Sequence, residues 1–369
     1  MEKQDLRYVS SLYGGFWDFD FEDFCYLTNP YFPPKEFMES LQSRLVELVK
    51  SYPSTNWYIS SLVAEPLGLS EKEVIIANGA SELISAISNR FVEHLAVPIP
   101  TFDEYINRAK DQGKAVATYP MDGDFELDME GFVQHVKKSG ANAALVVTPN
   151  NPTGTLVPYE SIRHLLESLR ELDLILIDES FLDFADFDVN PSAMGMIHEF
   201  PNLVIIKSLS KVYGIPGLRL GYAVTGDPDR ATQLRHDVPI WSINSLAQYF
   251  LTEMPKYQQA FVDSCDAVKR ATRVLSAELE TIPYLHSYPT QANFVLCRLL
   301  NGLTSAELTR RLFDEHRILI NDSSTKAGLD NRFVRIASCS AEQNAGLIKA
   351  LHDIADTAPA VTARTITGT

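Results

Sequence analysis

The chain has 369 residues, and 32 Lys+Arg set against 48 Asp+Glu give a formal charge of −16. Hydrophobic residues make up 45% and charged residues 22%, an ordinary globular composition at a length that suggests one large or two linked domains. The charge argues against nucleic-acid binding, which needs clustered Lys and Arg, and against docking on an anionic membrane. It leaves room for a small anionic substrate held by a few internal cations.

Residues 1–35 are aromatic-rich and end on Pro30, Pro33 and Pro34, which predicts an irregular arm rather than a regular helix, packed against another part of the chain. The Met-Glu-Lys-Gln-Asp start precedes no apolar signal core. From Phe37 to Lys50 the apolar Phe37, Leu41, Leu45 and Leu48 recur every three or four residues, an amphipathic helix. Short apolar strands then follow at Val74–Ile76, Ala143–Val147, Leu174–Ile177, Leu203–Ile206 and Leu220–Val224. Crossover segments fall near Ser161–Leu172 and Ala231–Leu234. Alternation on this scale predicts an α/β fold with a mostly parallel central sheet flanked by helices. After about Pro255 long helices surround a few strands, Asn293–Cys297 and Phe333–Ala337. The expected organisation is therefore an arm (1–35) completing a smaller α+β domain (256–369), with a large domain (36–255) between them. The small, Thr-rich stretch from Ala358 to Thr369 is expected to fray.

Cys25, Cys265, Cys297 and Cys339 stand too far apart for a metal site or a disulfide scaffold, and the eight histidines form no paired metal motif. No metal is expected. The longest apolar runs are of strand length, well short of a membrane span. A soluble, reduced, cytoplasmic protein is the expectation.

Three polar residues stand just past successive strands. Asn151 lies in Thr148-Pro-Asn-Asn-Pro-Thr-Gly154, Asp178 follows Leu174–Ile177, and Lys211 closes Ser208-Leu-Ser-Lys211. Strand ends of a parallel sheet share one edge, where open α/β folds bind ligands. Alone, Lys211 would be a surface lysine, Asp178 a helix cap and Asn151 a turn residue. None of these readings predicts all three at successive strand ends. An amine, a carboxylate and an amide together suit pyridoxal phosphate: the amine condenses with the aldehyde, the carboxylate keeps the pyridine nitrogen protonated, and the amide donates to the phenolic oxygen. Gly79-Ala-Ser81 reads as a turn opening a helix, whose N–H groups suit the phosphate. Ser208, Ser210 and Arg219 can add to that cradle. The glycines Gly214, Gly217 and Gly221 do not make a dinucleotide fingerprint.

Ser208-Leu-Ser-Lys-Val-Tyr-Gly-Ile-Pro-Gly-Leu-Arg-Leu-Gly-Tyr222 resembles the lysine signature of the class I/II aminotransferases, fold-type I pyridoxal-phosphate enzymes. Asn78-Gly-Ala-Ser-Glu82, Pro100-Thr-Phe-Asp-Glu-Tyr105, Asn151-Pro-Thr-Gly154 and Asp178-Glu-Ser-Phe181 fit the same family in the same order. The resemblance implies Lys211 as the Schiff-base lysine and proton shuttle, Asp178 at the pyridine nitrogen, Asn151 at the phenolic oxygen and Phe102 stacked on the ring. It places Gly79, Ala80, Ser81, Ser208, Ser210 and Arg219 at the phosphate, with Tyr52 reaching the phosphate of a neighbouring subunit in a homodimer with shared sites. Arg335 matches the arginine that holds a substrate carboxylate or other anion, and Asn29 the N-terminal substrate segment.

Within the family the chain resembles threonine-phosphate decarboxylase and histidinol-phosphate aminotransferase. The decarboxylase is the closer match at Phe181, where the aminotransferases carry a tyrosine, and at Ile215–Gly221 and Pro239–Ala247. The resemblance implies decarboxylation of a small, phosphorylated L-amino acid to the amine; the alternatives are transamination of a similar substrate and, from a different class, a non-catalytic cofactor-sensing module. One departure is Asn321, in Ile318-Leu-Ile-Asn-Asp-Ser-Ser324, where both relatives carry a basic residue for a substrate anion. A neutral amide there forfeits about 1–2 kcal/mol of charge-assisted binding. Either Lys326 or Arg332 replaces it, or the substrate is less charged.

Overall fold

A computed structural model of the chain describes residues 5–188, 190–300 and 302–357. The Thr-rich tail lies outside them. The described strands are β1 (Glu22–Phe24), β2 (Val74–Asn78), β3 (His94–Ile99), β4 (Ala115–Pro120), β5 (Ala143–Val147), β6 (Leu174–Asp178), β7 (Leu203–Ser208), β8 (Leu220–Val224), β9 (Leu285–Ser287), β10 (Phe294–Leu299), β11 (Ile318–Asp322) and β12 (Phe333–Ala337). They form a seven-stranded sheet in the order β2-β8-β7-β6-β5-β3-β4 and a five-stranded sheet in the order β1-β11-β12-β10-β9.

The middle of the large sheet is apolar on both faces. In β6, Ile175 and Ile177 enter one core and Leu174 and Leu176 the other, so its near-continuous apolar run reflects helices on both sides. All pairings in this sheet are parallel except those of β8, which runs antiparallel to both neighbours. Two reversals restore the direction, so β2, β5, β6 and β7 end at the same edge. That edge is where the chemistry gathers.

Strands β3 and β4 add to those legible in the sequence. Pro98 sits inside β3 and lacks the N–H of a ladder donor; accordingly β3 pairs with β5 only at Leu95 and Ala96, while its pairing with β4 continues to Ile99. The arm also differs from expectation. It holds a short helix, Leu6–Ser11, capped by the Asp5 side chain, because the prolines that bar a helix begin only at Pro30. Its β1 then pairs in parallel with β11, so the arm completes the smaller sheet. A third core lies between that sheet and helices Gln258–Leu279, Ser305–His316 and Ala341–Thr357.

Candidate active site

Lys211 follows β7 in a single helical turn, Leu209–Val212. Its Nζ lies 3.3 Å from the Ser208 Oγ. Burial first, then the positive charges of Arg219 and Arg335, push this amine down to about 8, against the pull of Asp178. An amine in that range has an appreciable neutral fraction near physiological pH, the form a nucleophile needs.

Asp178 ends β6 and is buried. The backbone N–H of Ser180 donates to its Oδ1 at 2.9 Å, and the Tyr105 hydroxyl donates to its Oδ2 at 2.8 Å. Burial raises its proton affinity above the ordinary carboxylate range, while the bonds from Ser180 and Tyr105 and the charge of Lys211 pull it back. A protonated ring nitrogen would supply the cation that ionises it fully. Tyr105 is the residue that sequence reasoning missed. It stands one turn after Phe102, within the motif already quoted, but its partner is 73 residues away. Phe102 itself caps helix Asp103–Asp111 and meets the Tyr105 ring edge-on, centroids 6.2 Å apart.

The phosphate cradle forms where β2 turns into helix Ala80–Phe91. Its N-cap, Gly79, has φ +79° and offers no side-chain cap, leaving the first N–H groups of the helix to an anion. A Cβ on Gly79 would fall 2.1 Å from Nη2 of Arg219, and one on Gly221 2.4 Å from the Ala80 nitrogen. Both glycines thus allow the close approach. Arg219 donates from Nη1 to Ser210 Oγ at 3.2 Å and from Nη2 to Ser81 Oγ at 3.4 Å. Two hydroxyls, a guanidinium and an open helix terminus converge on one point, and that donor set fits a phosphate.

Arg335, on β12, crosses toward the large sheet. It donates from Nη1 to Asn151 Oδ1 at 2.7 Å and from Nη2 to the Cys25 carbonyl at 2.7 Å. Its buried Nε has no hydrogen-bond partner among the described residues. Burial brings this guanidinium down to about 10. With Oδ1 of Asn151 taken, the Nδ2 end of that amide is the one free to donate. Asn321 pairs with Arg335 across β11 and β12, and its Oδ1 accepts from Ser323 at 2.9 Å.

Asn29 is engaged behind the lysine turn, and Tyr52 lies on the surface of its own chain. The Asn29 Nδ2 donates to the Val212 carbonyl at 2.9 Å and to Ser264 Oγ at 2.8 Å, its Oδ1 accepts from Tyr31, and its own N–H donates to the Lys211 carbonyl. Both ends of the amide hold that turn, so Asn29 positions the lysine segment from behind. Tyr52 is 80% exposed and lies against Trp241, ring centroids 4.6 Å apart; within one chain it does not meet the phosphate cradle. Phe181 is buried edge-on to Phe294 at 5.2 Å, with no hydroxyl to offer the ring oxygen. A separate cavity of about 780 Å³ lies behind the lysine turn, walled by Leu209, Val212, Tyr213 and Phe250.

Residues 26–351 match the family model described as "Aminotransferase class I and II". The chain is 37% identical over 355 residues to the CMP-5'-(3-aminopropyl)phosphonate synthase of Streptomyces rubellomurinus, which covers 95% of this chain but only 56% of that protein. It is 32% identical over 347 residues to the L-serine phosphate decarboxylase Cj1436c of Campylobacter jejuni, covering 90% and 88% of the two chains. The solved histidinol-phosphate aminotransferase of Clostridium acetobutylicum superposes with a TM-score of 0.84 at 27% identity, covering 91% of this chain and all of that one.

Proposed function

The chain belongs to the aminotransferase class I and II family of pyridoxal-phosphate enzymes, and from that premise we propose that it decarboxylates a small L-amino acid bearing a side-chain phosphate or phosphonate, releasing the amine. The observation that carries the acidic-substrate reading is Arg335: a buried guanidinium beside Asn151 with its Nε unpartnered. The similarity to a serine-phosphate decarboxylase over nine-tenths of the chain supports the reaction type. The similarity to a histidinol-phosphate aminotransferase supports transamination as the second reading.

In this reading, Ser81, Ser210, Arg219 and the N-terminus of helix Ala80–Phe91 hold the cofactor's phosphate. Asp178, oriented by Tyr105 and Ser180, holds the ring nitrogen protonated, and Asn151 donates to the phenolic oxygen. Pyridoxal phosphate, when bound, supplies an electron sink for the bond broken at the substrate α-carbon. That chemistry could serve more than one bond at the α-carbon, so the residue that anchors the substrate's acid groups would choose which reaction follows. Arg335 anchors one acid group, and Lys211 returns a proton to the α-carbon after carbon dioxide departs. The chain acts as a homodimer in which Tyr52 reaches the partner's cradle; its exposure, and that of neighbouring Val46, Val49 and Ile240, supports this. The two sheets support a division into a large unit, 36–255, and a smaller one, 256–369, completed by 1–35. Four free cysteines, and the absence among the described residues of any helix able to cross a membrane, support a cytoplasmic setting.

The test is to give the cofactor-loaded protein O-phospho-L-serine or O-phospho-L-threonine, with and without 2-oxoglutarate. Carbon dioxide and the phosphorylated amine should appear without the oxo-acid. A strict need for 2-oxoglutarate, with no carbon dioxide formed, would refute decarboxylation and establish transamination.

A further inference from the structure

The segment between β11 and β12 carries two candidates for the cation that position 321 lacks, and the structure separates them. Arg332 is paired with Asp330, both side chains being over 40% exposed; it faces outward. Lys326 goes inward. Its side chain is 12% exposed and its Nζ is bonded to the Asp103 carboxylate, the residue directly after Phe102. The backbone aims it there: Lys326 N–H donates to the Ser323 carbonyl, and Leu329 N–H to the Lys326 carbonyl. This tight turn lays Gly328 on the end of β3, where an added Cβ would stand 3.0 Å from the Pro100 nitrogen. Lys326 therefore links the five-stranded side of the molecule to the seven-stranded side at the mouth of the site. It is close enough to Arg335 to feel its charge.

We propose that Lys326 is the second cation for the substrate's side-chain phosphate or phosphonate, performing from the β11–β12 loop the task of a basic residue at position 321, and that Asp103 holds it in place until the substrate arrives. This rests on the acidic-substrate reading above. The exchange is chemically reasonable at both ends. Asp103 is 35% exposed, so water solvates its carboxylate once it lets go, and the start of helix Asp103–Asp111 favours its charge. Lys326 trades a carboxylate with one negative charge for a phosphate with nearly two at neutral pH. The incoming dianion sits between Lys326 and Arg335, whose charges oppose each other and which in its absence share only the single negative charge of Asp103. An unphosphorylated substrate offers nothing to draw Lys326 from Asp103. The pair therefore makes the site selective for a substrate with an acidic side chain, and it ties substrate binding to contact between the two sheets.

The experiment measures apparent dissociation constants of O-phospho-L-serine and of L-serine from the rapid change in cofactor absorption that precedes turnover, for the loaded wild-type protein and its variants. Lys326→Met should weaken O-phospho-L-serine at least tenfold and leave L-serine within twofold. Lys326→Arg should stay within about threefold of wild type for both, and Asp103→Asn should bind O-phospho-L-serine as tightly as wild type or more tightly. Should Lys326→Met fail to take up cofactor, Lys326→Gln serves in its place. Equal weakening of both ligands by the neutral variant, or no weakening of either, overturns the role of Lys326. A tenfold loss of O-phospho-L-serine affinity in Asp103→Asn overturns the holding role of Asp103. A wild-type protein that binds L-serine as tightly as O-phospho-L-serine overturns the acidic-substrate reading itself, so the two failures are told apart.

Discussion

Arg335 donates to the side-chain oxygen of Asn151 at 2.7 Å, joining the five-stranded sheet to the end of β5. One contact thus orients two functional groups. It fixes which end of the Asn151 amide is left to donate, and it holds the guanidinium beside that amide, where the proposed substrate's acid group would bind. Replacing Arg335 by Lys should preserve the charge and lose the planar fork. The expected result is a KM at least tenfold higher with kcat reduced as well, because Asn151 loses its orienting donor. Steady-state kinetics on O-phospho-L-serine read this out; a rise in KM with kcat untouched would show that Asn151 holds its orientation unaided.

Tyr105 and Asp178 make the second prediction. The Tyr105 hydroxyl lowers the proton affinity of a carboxylate that burial has raised, so Tyr105→Phe should raise that affinity further. The ionised carboxylate would then be lost at a higher pH on acidification, and the acid limb of the kcat profile should move upward. Activity at neutral pH should fall by about tenfold, the loss of roughly one charge-assisted hydrogen bond. An unshifted acid limb would mean that the Ser180 N–H alone sets the state of Asp178.

Gly79→Ala tests the cradle. The residue has positive φ, and the new methyl would meet the Arg219 guanidinium, so the arginine must withdraw from Ser81. Cofactor affinity should fall at least tenfold, measured by equilibrium dialysis of pyridoxal phosphate, while the cofactor-free protein should lose only about 1–2 kcal/mol of stability from the strained backbone. The same affinity with the same off-rate in the variant would show that Arg219 does not hold the phosphate.

Much of this site can be read from the sequence because three chemical side chains sit immediately beyond continuous apolar runs. β5, β6 and β7 are buried on both faces, so their ends are sharply marked at Val147, Asp178 and Ser208. The antiparallel direction of β8 leaves no trace in its composition. β3 is obscured by Pro98, and β4, at the sheet edge and half-exposed, lacks a strong apolar signal. Tyr105 is invisible for a different reason: its importance lies in a hydrogen bond to a distant residue, and spacing reports only local neighbours. Asn29 shows the converse. Its motif was legible, but its amide is engaged with Val212 and Ser264, and which way a buried amide points depends on packing. The choice between Lys326 and Arg332 likewise turned on the geometry of one short loop.

The proton affinity of Lys211 sets a pH prediction. An ordinary lysine is almost wholly protonated at pH 7.5, whereas one held at about 8 is neutral for roughly a quarter of the time. Because burial lowers this group, the neutral form gains as pH rises through 8, well before a surface lysine with its ordinary value of 10.5 would lose its proton. The rate at which the cofactor-free protein takes up pyridoxal phosphate should therefore rise with pH, pass its midpoint near 8 and level off above about 9. Borohydride reduction at pH 7.5 followed by peptide mapping should find the label on Lys211 alone. Uptake that keeps climbing to pH 10 would show that the amine is not depressed.

Tyr52 and Lys211 together test whether the sites are shared. Tyr52 projects from its own chain onto Trp241 and lies largely in solvent, an unfavourable place for an aromatic side chain unless another surface covers it. If its hydroxyl completes the partner's cradle, Tyr52→Ala and Lys211→Ala each damage both sites of their own homodimer. A mixed dimer is different. Its chain carrying Tyr52→Ala keeps Lys211, and the tyrosine that site needs comes from the chain carrying Lys211→Ala. One intact site is therefore rebuilt. Equal mixing followed by subunit exchange yields mixed dimers as half of the population, so activity should recover to about a quarter of the wild-type value. Recovery cannot occur if Tyr52 serves the site of its own chain, because every site in the mixture then carries one of the two lesions. Activity that stays at the level of the single variants after verified exchange would place Tyr52 outside the partner's site.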